Sequence, residues 1–383
     1  MEETLKKILP DLEQIRKEIH QNPELSQQEH HTANRIINYL TKHTTATVSL
    51  IANTGVIVMY DSGIEGKSIL LRADTDALPI LEVNDFHYKS SVPGVSHKCG
   101  HDGHTAMMLG VARLLTAHPI KKGKVVLLFQ PAEENGMGAE AVLKDTLFQN
   151  IHFDFVFALH NIPGIAKNKI VIKENNFNAN VKSMIIKLQG KTAHAAEPEK
   201  GHNPALAIAD ILYYAEAATN NNPEQDDFSL ITPIHINMGE LAYGISAGDG
   251  ELHLTIRSWD LALFDSICTD LESFIEQTCS NYNLKASISW TQVFFANKND
   301  STANEFVRKA AIVNKLEVHE MSDSFKWGED FGLFTQRFKG AMFGLGAGIN
   351  TPALHNPDYD FPDDITATGI QQFFQIIQEI NNV

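Results

Sequence analysis

The 383-residue sequence predicts an α/β protein in which a large mixed-sheet domain is interrupted by a smaller α+β domain. Three observations lead there. Short apolar, β-branched runs bounded by glycine and polar residues alternate with helical periodicity in both outer portions of the chain, as strands of a covered sheet do. Candidate metal ligands collect at the C-terminal ends of those runs, where open α/β sheets place their ligands. Between Asn178 and Gln292 the pattern changes to alternating strands and two helices. Residues 1–177 and 293–383 therefore form a discontinuous metal-binding domain, and residues 178–292 form the insert.

Composition sets the limits. The length exceeds one compact core, and 43% hydrophobic with 20% charged residues describes a soluble globular chain. No apolar run approaches the roughly 20 residues that span a bilayer. Leu5, Ile8, Leu9, Leu12, Ile15 and Ile19 recur at helical spacing, and Glu2, Glu3, Lys6 and Lys7 interrupt any signal-like core, so the start reads as the first helix of a cytoplasmic protein. A formal charge of −16 argues against nucleic acid or an anionic membrane as partner and leaves small molecules. Of the three cysteines, Cys268 and Cys279 lie about three helical turns apart, too far for a bridge, which fits a reducing compartment.

In order, the first helix gives way to Ser26-Gln27-Gln28-Glu29, which reads as a capping box opening a second helix through about Lys42. Gly55–Tyr60 and Ser68–Leu71 read as strands, the second followed by Asp74 and Asp76, which suit either a ligand site or a turn. His97-Lys-Cys-Gly-His-Asp-Gly-His104 packs nitrogen and sulfur donors at a density that suggests a transition-metal site, and Gly100 permits the sharp turn needed for Cys99 and His101 to aim at one ion. Helical spacing resumes over 105–116. Lys124–Phe129 is a third strand, followed by Glu133-Glu134, a pair that can divide into one ligand and one proton carrier. Phe155–Leu159 is a fourth, ending at His160, and Ala341–Leu345 a fifth, with His355 beyond it. In the insert, strands over Val181–Leu188, Leu252–Trp259 and Ala286–Trp290 accompany helices near 203–219 and 262–281.

The motifs Arg72-Ala-Asp-Thr-Asp-Ala-Leu-Pro79, Cys99-Gly-His-Asp-Gly-His104, Gln130-Pro-Ala-Glu-Glu134, Ala158-Leu-His160, Ala193-His-Ala-Ala196, Gly328-Glu-Asp-Phe331 and Leu354-His-Asn-Pro357 occur in that order. Together with Ile19-His-Gln-Asn-Pro-Glu-Leu25 they resemble the metal-dependent aminoacylase, hippurate hydrolase and auxin-conjugate amidohydrolase family along the whole chain. The resemblance implies a zinc-peptidase-like catalytic domain with a ferredoxin-like insert that serves as lid and homodimer surface. It implies a site for two divalent ions held by Cys99, His101, Glu134, His160 and His355, with Glu133 as general base. Asp76 would orient a ligand histidine, His194 would reach substrate from the insert, and Arg257 would help hold it.

A cysteine ligand suits zinc, nickel, cobalt or manganese better than magnesium, and a carboxylate or thiolate is expected to bridge. The implied substrate is a small N-acyl amino acid. A di- or tripeptide is the alternative, and a metal-binding protein without turnover is disfavoured by the presence of Glu133. The chain departs from the family pattern at Asn135-Gly136, where two glycines are usual, and at Gly244–Gly250, which lacks an Asn-x-x-Pro segment. Leu254 also stands where a glycine usually precedes the Thr-x-Arg ending at Arg257.

Overall fold

The computed structural model describes residues 1–381, which form two compact units. The larger comprises residues 1–177, 297–322 and those from 329 on; the smaller comprises 178–296 together with 323–328.

The amphipathic N-terminus folds as α1 (Glu2–Gln21), which buries Leu5, Ile8, Leu12, Ile15 and Ile19. The next helix, α2 (His30–His43), is capped by Glu24, whose carboxylate accepts from the main-chain N–H of His31 at 3.1 Å and of Thr32 at 2.7 Å. The expected Ser26–Glu29 capping box does not form. Leu25 instead bridges to Ala77, which holds the segment beside the residues that follow Asp74, and Ser26 Oγ donates to Asp76 at 2.7 Å. Glu29 is fully buried and accepts from Thr54 Oγ1 and from the Ala132 N–H, each at 2.7 Å.

Strands β1 (Thr47–Ile51), β2 (Gly55–Asp61) and β3 (Ser68–Asp74) lead to α3 (His101–Ala117), then to β4 (Lys124–Gln130), the short α4 (Gly138–Lys144), β5 (Phe155–Pro163) and β6 (Ile170–Ile172). The chain then leaves to build the smaller unit. There β7 (Asn180–Gln189), α5 (Ala205–Ala217), β8 (Ser229–Met238), β9 (Asp249–Ser258), α6 (Leu261–Asn281) and β10 (Lys285–Phe294) form an antiparallel sheet of order β8-β9-β7-β10. This βαββαβ order is ferredoxin-like, and Ile186, Leu252, Leu254, Ile211, Leu271 and Ile275 fill a core between one sheet face and both helices. The chain returns through α7 (Ser301–Val313), β11 (Val318–Glu320), β12 (Gly340–Gly348) and α8 (Thr366–Asn381).

The large sheet has eight strands in the order β1-β2-β4-β3-β5-β12-β6-β11. Its central four, β4, β3, β5 and β12, run parallel, so their C-terminal ends meet at one edge. Every residue of β3 and of β12 is buried, which explains why both read as unbroken apolar or small runs rather than as alternation. Apolar side chains of α1, α3, α7 and α8 join these strands in the main core. All three cysteines are free and buried. No described helix is long and apolar enough to cross a membrane.

Candidate metal centre

The parallel strand ends determine where the donors stand. Asp74 closes β3 and Asp76 follows it, Glu133 and Glu134 follow β4, and His160 lies within the last turnward residues of β5, paired with Gly344 of β12. Cys99 and His101 flank Gly100, which has φ 93° and is the N-cap of α3. A Cβ at Gly100 would come within 2.4 Å of Asn161 Oδ1 and 2.8 Å of Tyr359 Oη, so glycine is required there by space as well as by conformation. His355 arrives on the loop after β12 in a left-handed conformation, φ 65°, its N–H held by the Lys98 carbonyl at 2.7 Å.

Donor atoms of Cys99, His101 and His160 lie within 4.8 Å of one another, as do those of Cys99, Glu134 and His355, and those of His101, Glu133 and Glu134. The structure thus gathers all five expected ligands and Glu133 into one cluster. Cys99 Sγ is 3.5 Å from His160 Nε2, and His355 Nε2 is 3.6 Å from Glu134 Oε2. His101 Nε2 faces Glu134 Oε1 at 3.8 Å and Glu133 Oε2 at 3.9 Å. Main-chain carbonyls fix both buried rings: His101 Nδ1 lies 3.0 Å from Asp76 O, and His160 Nδ1 lies 2.9 Å from Asn161 O. A carbonyl only accepts, so each Nδ1 carries a proton and Nε2 is the nitrogen left to face the cluster.

The electrostatics call for positive charge. Burial and the neighbouring Glu329 and Glu134 push the Glu133 carboxyl well above its ordinary range, and burial with Asp76 nearby raises Glu134 to about 8. Burial, Glu134 and Glu133 likewise raise the Cys99 thiol. Burial opposes a charge on His101, but Asp74 and Asp76 outweigh it and raise the imidazole to about 10. His101 Nε2 and Glu134 Oε1 are buried without a hydrogen-bond partner. Thiol, imidazole and carboxylate donors crowded in this way, with two such orphaned atoms, fit divalent transition metals.

Buried ion-pair and hydrogen-bond networks surround the cluster. Arg72 is fully buried and spans Asp74 at 2.7 Å, Glu329 at 2.8 Å and Asp330 at 2.9 Å, tying β3 to the Gly328-Glu-Asp-Phe331 motif. Asp74 also meets His104 Nδ1 at 2.6 Å, and His104 Nε2 accepts the Asn161 N–H at 3.2 Å. Asp102, one residue beyond His101, is held by His20 at 2.8 Å and Arg16 at 3.3 Å. Arg72, Asp102, His104 and His20 stand inside the quoted motifs, whereas Arg16 stands outside all of them. The departure at Asn135 has a local reason, since its Oδ1 accepts the Met137 N–H at 3.1 Å while Gly136 keeps the positive φ of 74°.

His194 and Arg257 belong to the smaller unit. His194 is exposed in a two-residue ladder, paired with Ile245, and its Nδ1 accepts the Ala196 N–H at 3.0 Å, which leaves Nε2 as the protonated nitrogen. Arg257 on β9 donates to the Lys326 carbonyl at 2.7 Å, and burial alone lowers its pKa. Leu254, at the position of the family's glycine, is fully buried in the helix-covered core.

Fold and donor set together define a metal-dependent hydrolase of amide bonds. The chain belongs to peptidase family M20/M25/M40, whose pattern matches residues 70–379. It is 34% identical to the N-acetyl-L-cysteine deacetylase of Bacillus subtilis over 333 residues, covering 87% of this chain and 79% of that one. It is 28% identical to the hippurate hydrolase of Campylobacter jejuni, covering 96% of this chain and 95% of that one. Among solved structures, a dinuclear metal binding peptidase of the M20 family from Bacillus subtilis superposes with a TM-score of 0.83 at 25% identity, covering 98% of this chain and 99% of that one.

Proposed function

We propose that the protein releases amino acids from small N-acyl derivatives, acetyl or benzoyl conjugates among them, at a site holding two divalent ions. Cys99, His101, Glu134, His160 and His355 are the ligands in this reading, and zinc, manganese, nickel or cobalt is the metal. The observation that carries it is the convergence of those five donors, with Glu133 beside them, at the ends of parallel strands. Relatives named for N-acetyl-L-cysteine and hippurate support the substrate class.

When bound, the ions would polarise the scissile carbonyl and acidify a water molecule. Glu133 takes the proton of the attacking water as its oxygen bonds to the carbonyl carbon. Asp76 keeps the His101 ring in its orientation meanwhile. The carbon–nitrogen bond then breaks, and Glu133 hands the proton to the departing nitrogen, giving a carboxylic acid and a free amine. His194 donates from Nε2 to the oxygen that gains negative charge, and Arg257 pairs with the substrate carboxylate. The lid forms a homodimer, supported by the sheet edge at β8, where Ile234, Ile236 and Met238 are exposed. A cysteine ligand that must stay reduced suits the cytoplasm.

The test is a panel of N-acetyl and N-benzoyl amino acids against dipeptides, run on chelated protein refilled with manganese, cobalt, nickel or zinc. Turnover of the N-acyl compounds in a metal-dependent manner is expected. Preference for dipeptides would replace the substrate class and keep the metal chemistry.

A further inference from the structure

We propose that Glu29, together with Ser26, positions the metal-facing carboxylates of Glu133 and Glu134, a role that rests on the metal-site reading above. The two residues lie in the connection between α1 and α2, more than a hundred positions from the glutamates they would hold.

The turn that aims Glu133 and Glu134 begins at Ala132, which has φ 54° although it is not glycine. Such a conformation persists only where the surroundings over-determine it. From one side, the Ala132 carbonyl accepts from the N–H groups of Met137 at 3.2 Å and Gly138 at 2.9 Å. From the other, the Ala132 N–H meets Glu29 Oε1 at 2.7 Å. The second oxygen of Glu29 is held by Thr54 Oγ1 at 2.7 Å, so the carboxylate is fixed at both ends in a fully buried place.

Ser26 acts one step further along the same turn. Its hydroxyl donates to Asp76 Oδ2 at 2.7 Å, and that oxygen also accepts the Glu134 N–H at 3.0 Å. Asp76 Oδ1 lies 3.3 Å from His101 Nδ1. One short segment therefore grips the turn ahead of Glu133 directly and at Glu134 through Asp76.

The α2 helix has no need of Glu29, because Glu24 already supplies the cap. A buried acid close to Asp76 is costly, and burial with Asp76 nearby raises the Glu29 pKa. What the acid obtains in return is the Ala132 N–H and the geometry of the turn. Positioning of this kind matters because a shift of about 1 Å in a reacting group can cost roughly 100-fold in rate.

The experiment compares wild type, Glu29→Ala, Glu29→Gln and Ser26→Ala. It measures kcat and KM on the best substrate of the N-acyl panel, cobalt(II) affinity and absorption spectrum of the chelated protein, and the thermal midpoint. Glu29→Ala is expected to lower kcat by about 10- to 100-fold with KM nearly unchanged, and to weaken cobalt(II) binding with a changed spectrum. Glu29→Gln keeps an acceptor oxygen for the Ala132 N–H and should recover most of both properties. Ser26→Ala should weaken cobalt(II) binding with a smaller loss of kcat. A folded Glu29→Ala protein with wild-type kcat and cobalt(II) spectrum would overturn the proposal, as would equal damage in Glu29→Ala and Glu29→Gln that merely follows a loss of thermal stability. Should Glu29→Ala fail to fold, Ser26→Ala decides, and an unchanged cobalt(II) affinity and spectrum there overturns the proposal. Failure of the wild-type protein itself to bind cobalt(II) would instead sink the metal-site reading.

Discussion

The carboxylate of Asp76 accepts the main-chain N–H of Glu134 at 3.0 Å, while its own main-chain oxygen lies 3.0 Å from His101 Nδ1. One residue thus sets the direction of two expected ligands, one following β4 and one at the start of α3. Replacing it with alanine removes the carboxylate's tie to Glu134 and its 3.3 Å contact with His101 Nδ1, and leaves the carbonyl contact to His101. Asp76→Ala should therefore weaken metal binding by roughly 10- to 100-fold without unfolding the chain, as read by chelator competition and thermal melting. Unchanged affinity would show that Asp76 has no part in holding the site.

Removing the metal should cost stability as well as activity. The donors come from the ends of β4 and β5, from the start of α3 and from the distant His355 loop, so bound ions would cross-link parts of the larger unit far apart in sequence. Chelation should lower the thermal midpoint by about 5 °C or more. Identical melting of chelated and metal-loaded protein would make the ions passengers with respect to the fold.

Much of this arrangement was legible in the sequence because soft donors are rare and their spacing is tight. Cys99-Gly-His-Asp-Gly-His104 could be read as a metal site before any fold was known. Glu133, Glu134 and His160 could be read from their place after apolar runs. Strand β8 was not recognised, because Pro233 breaks its pattern and most of its residues are exposed at the sheet edge, with a register shift between Pro233 and His235. Glu29 differs from its sequence expectation for another reason. A Ser-x-x-Glu spacing before a helix looks the same whether the glutamate caps that helix or reaches a turn a hundred residues away, and only the bridge from Leu25 to Ala77 decides between them. The buried Arg72 and Arg16 networks were likewise invisible, since pairing across the fold has no local periodicity.

Stability should depend on pH through His20, whose Nδ1 is 2.8 Å from Asp102 Oδ2 and whose Nε2 is 3.0 Å from Glu82 Oε1. Burial opposes a charge on this ring, but the two carboxylates outweigh it and raise its pKa from 6.5 to about 9. A raised histidine pKa stabilises the fold fully below the unfolded value, and that contribution is lost as the pH climbs through the folded one. Between pH 6.5 and 9 the thermal midpoint of wild type should therefore fall more steeply than that of His20→Gln. Parallel curves would mean that His20 is neutral in the folded protein.

If the protein is the proposed homodimer, the family resemblance implies that His194 serves the site of the neighbouring subunit. A dimer of one Glu133→Gln chain and one His194→Ala chain then concentrates both defects in one site and leaves the other intact. Random mixing of the two inactive variants should restore activity at about a quarter of all sites. No recovery, with heterodimers demonstrated, would place His194 in the service of its own chain or of none.

The division of labour between the adjacent glutamates is the centre of the account, because it separates holding the ions from moving the proton. His355 Nε2 faces Glu134 at 3.6 Å, whereas Glu133 stands in the group with Glu329 and Asp330 as well as in the group with His101 and Glu134. The most direct measurement is metal content and kcat of Glu133→Gln beside Glu134→Gln. Glu133→Gln should keep its metal near the wild-type level and lose hydrolysis by roughly 100-fold or more, while Glu134→Gln should lose metal too. Equal metal loss in both variants, or substantial turnover by Glu133→Gln, would contradict the account.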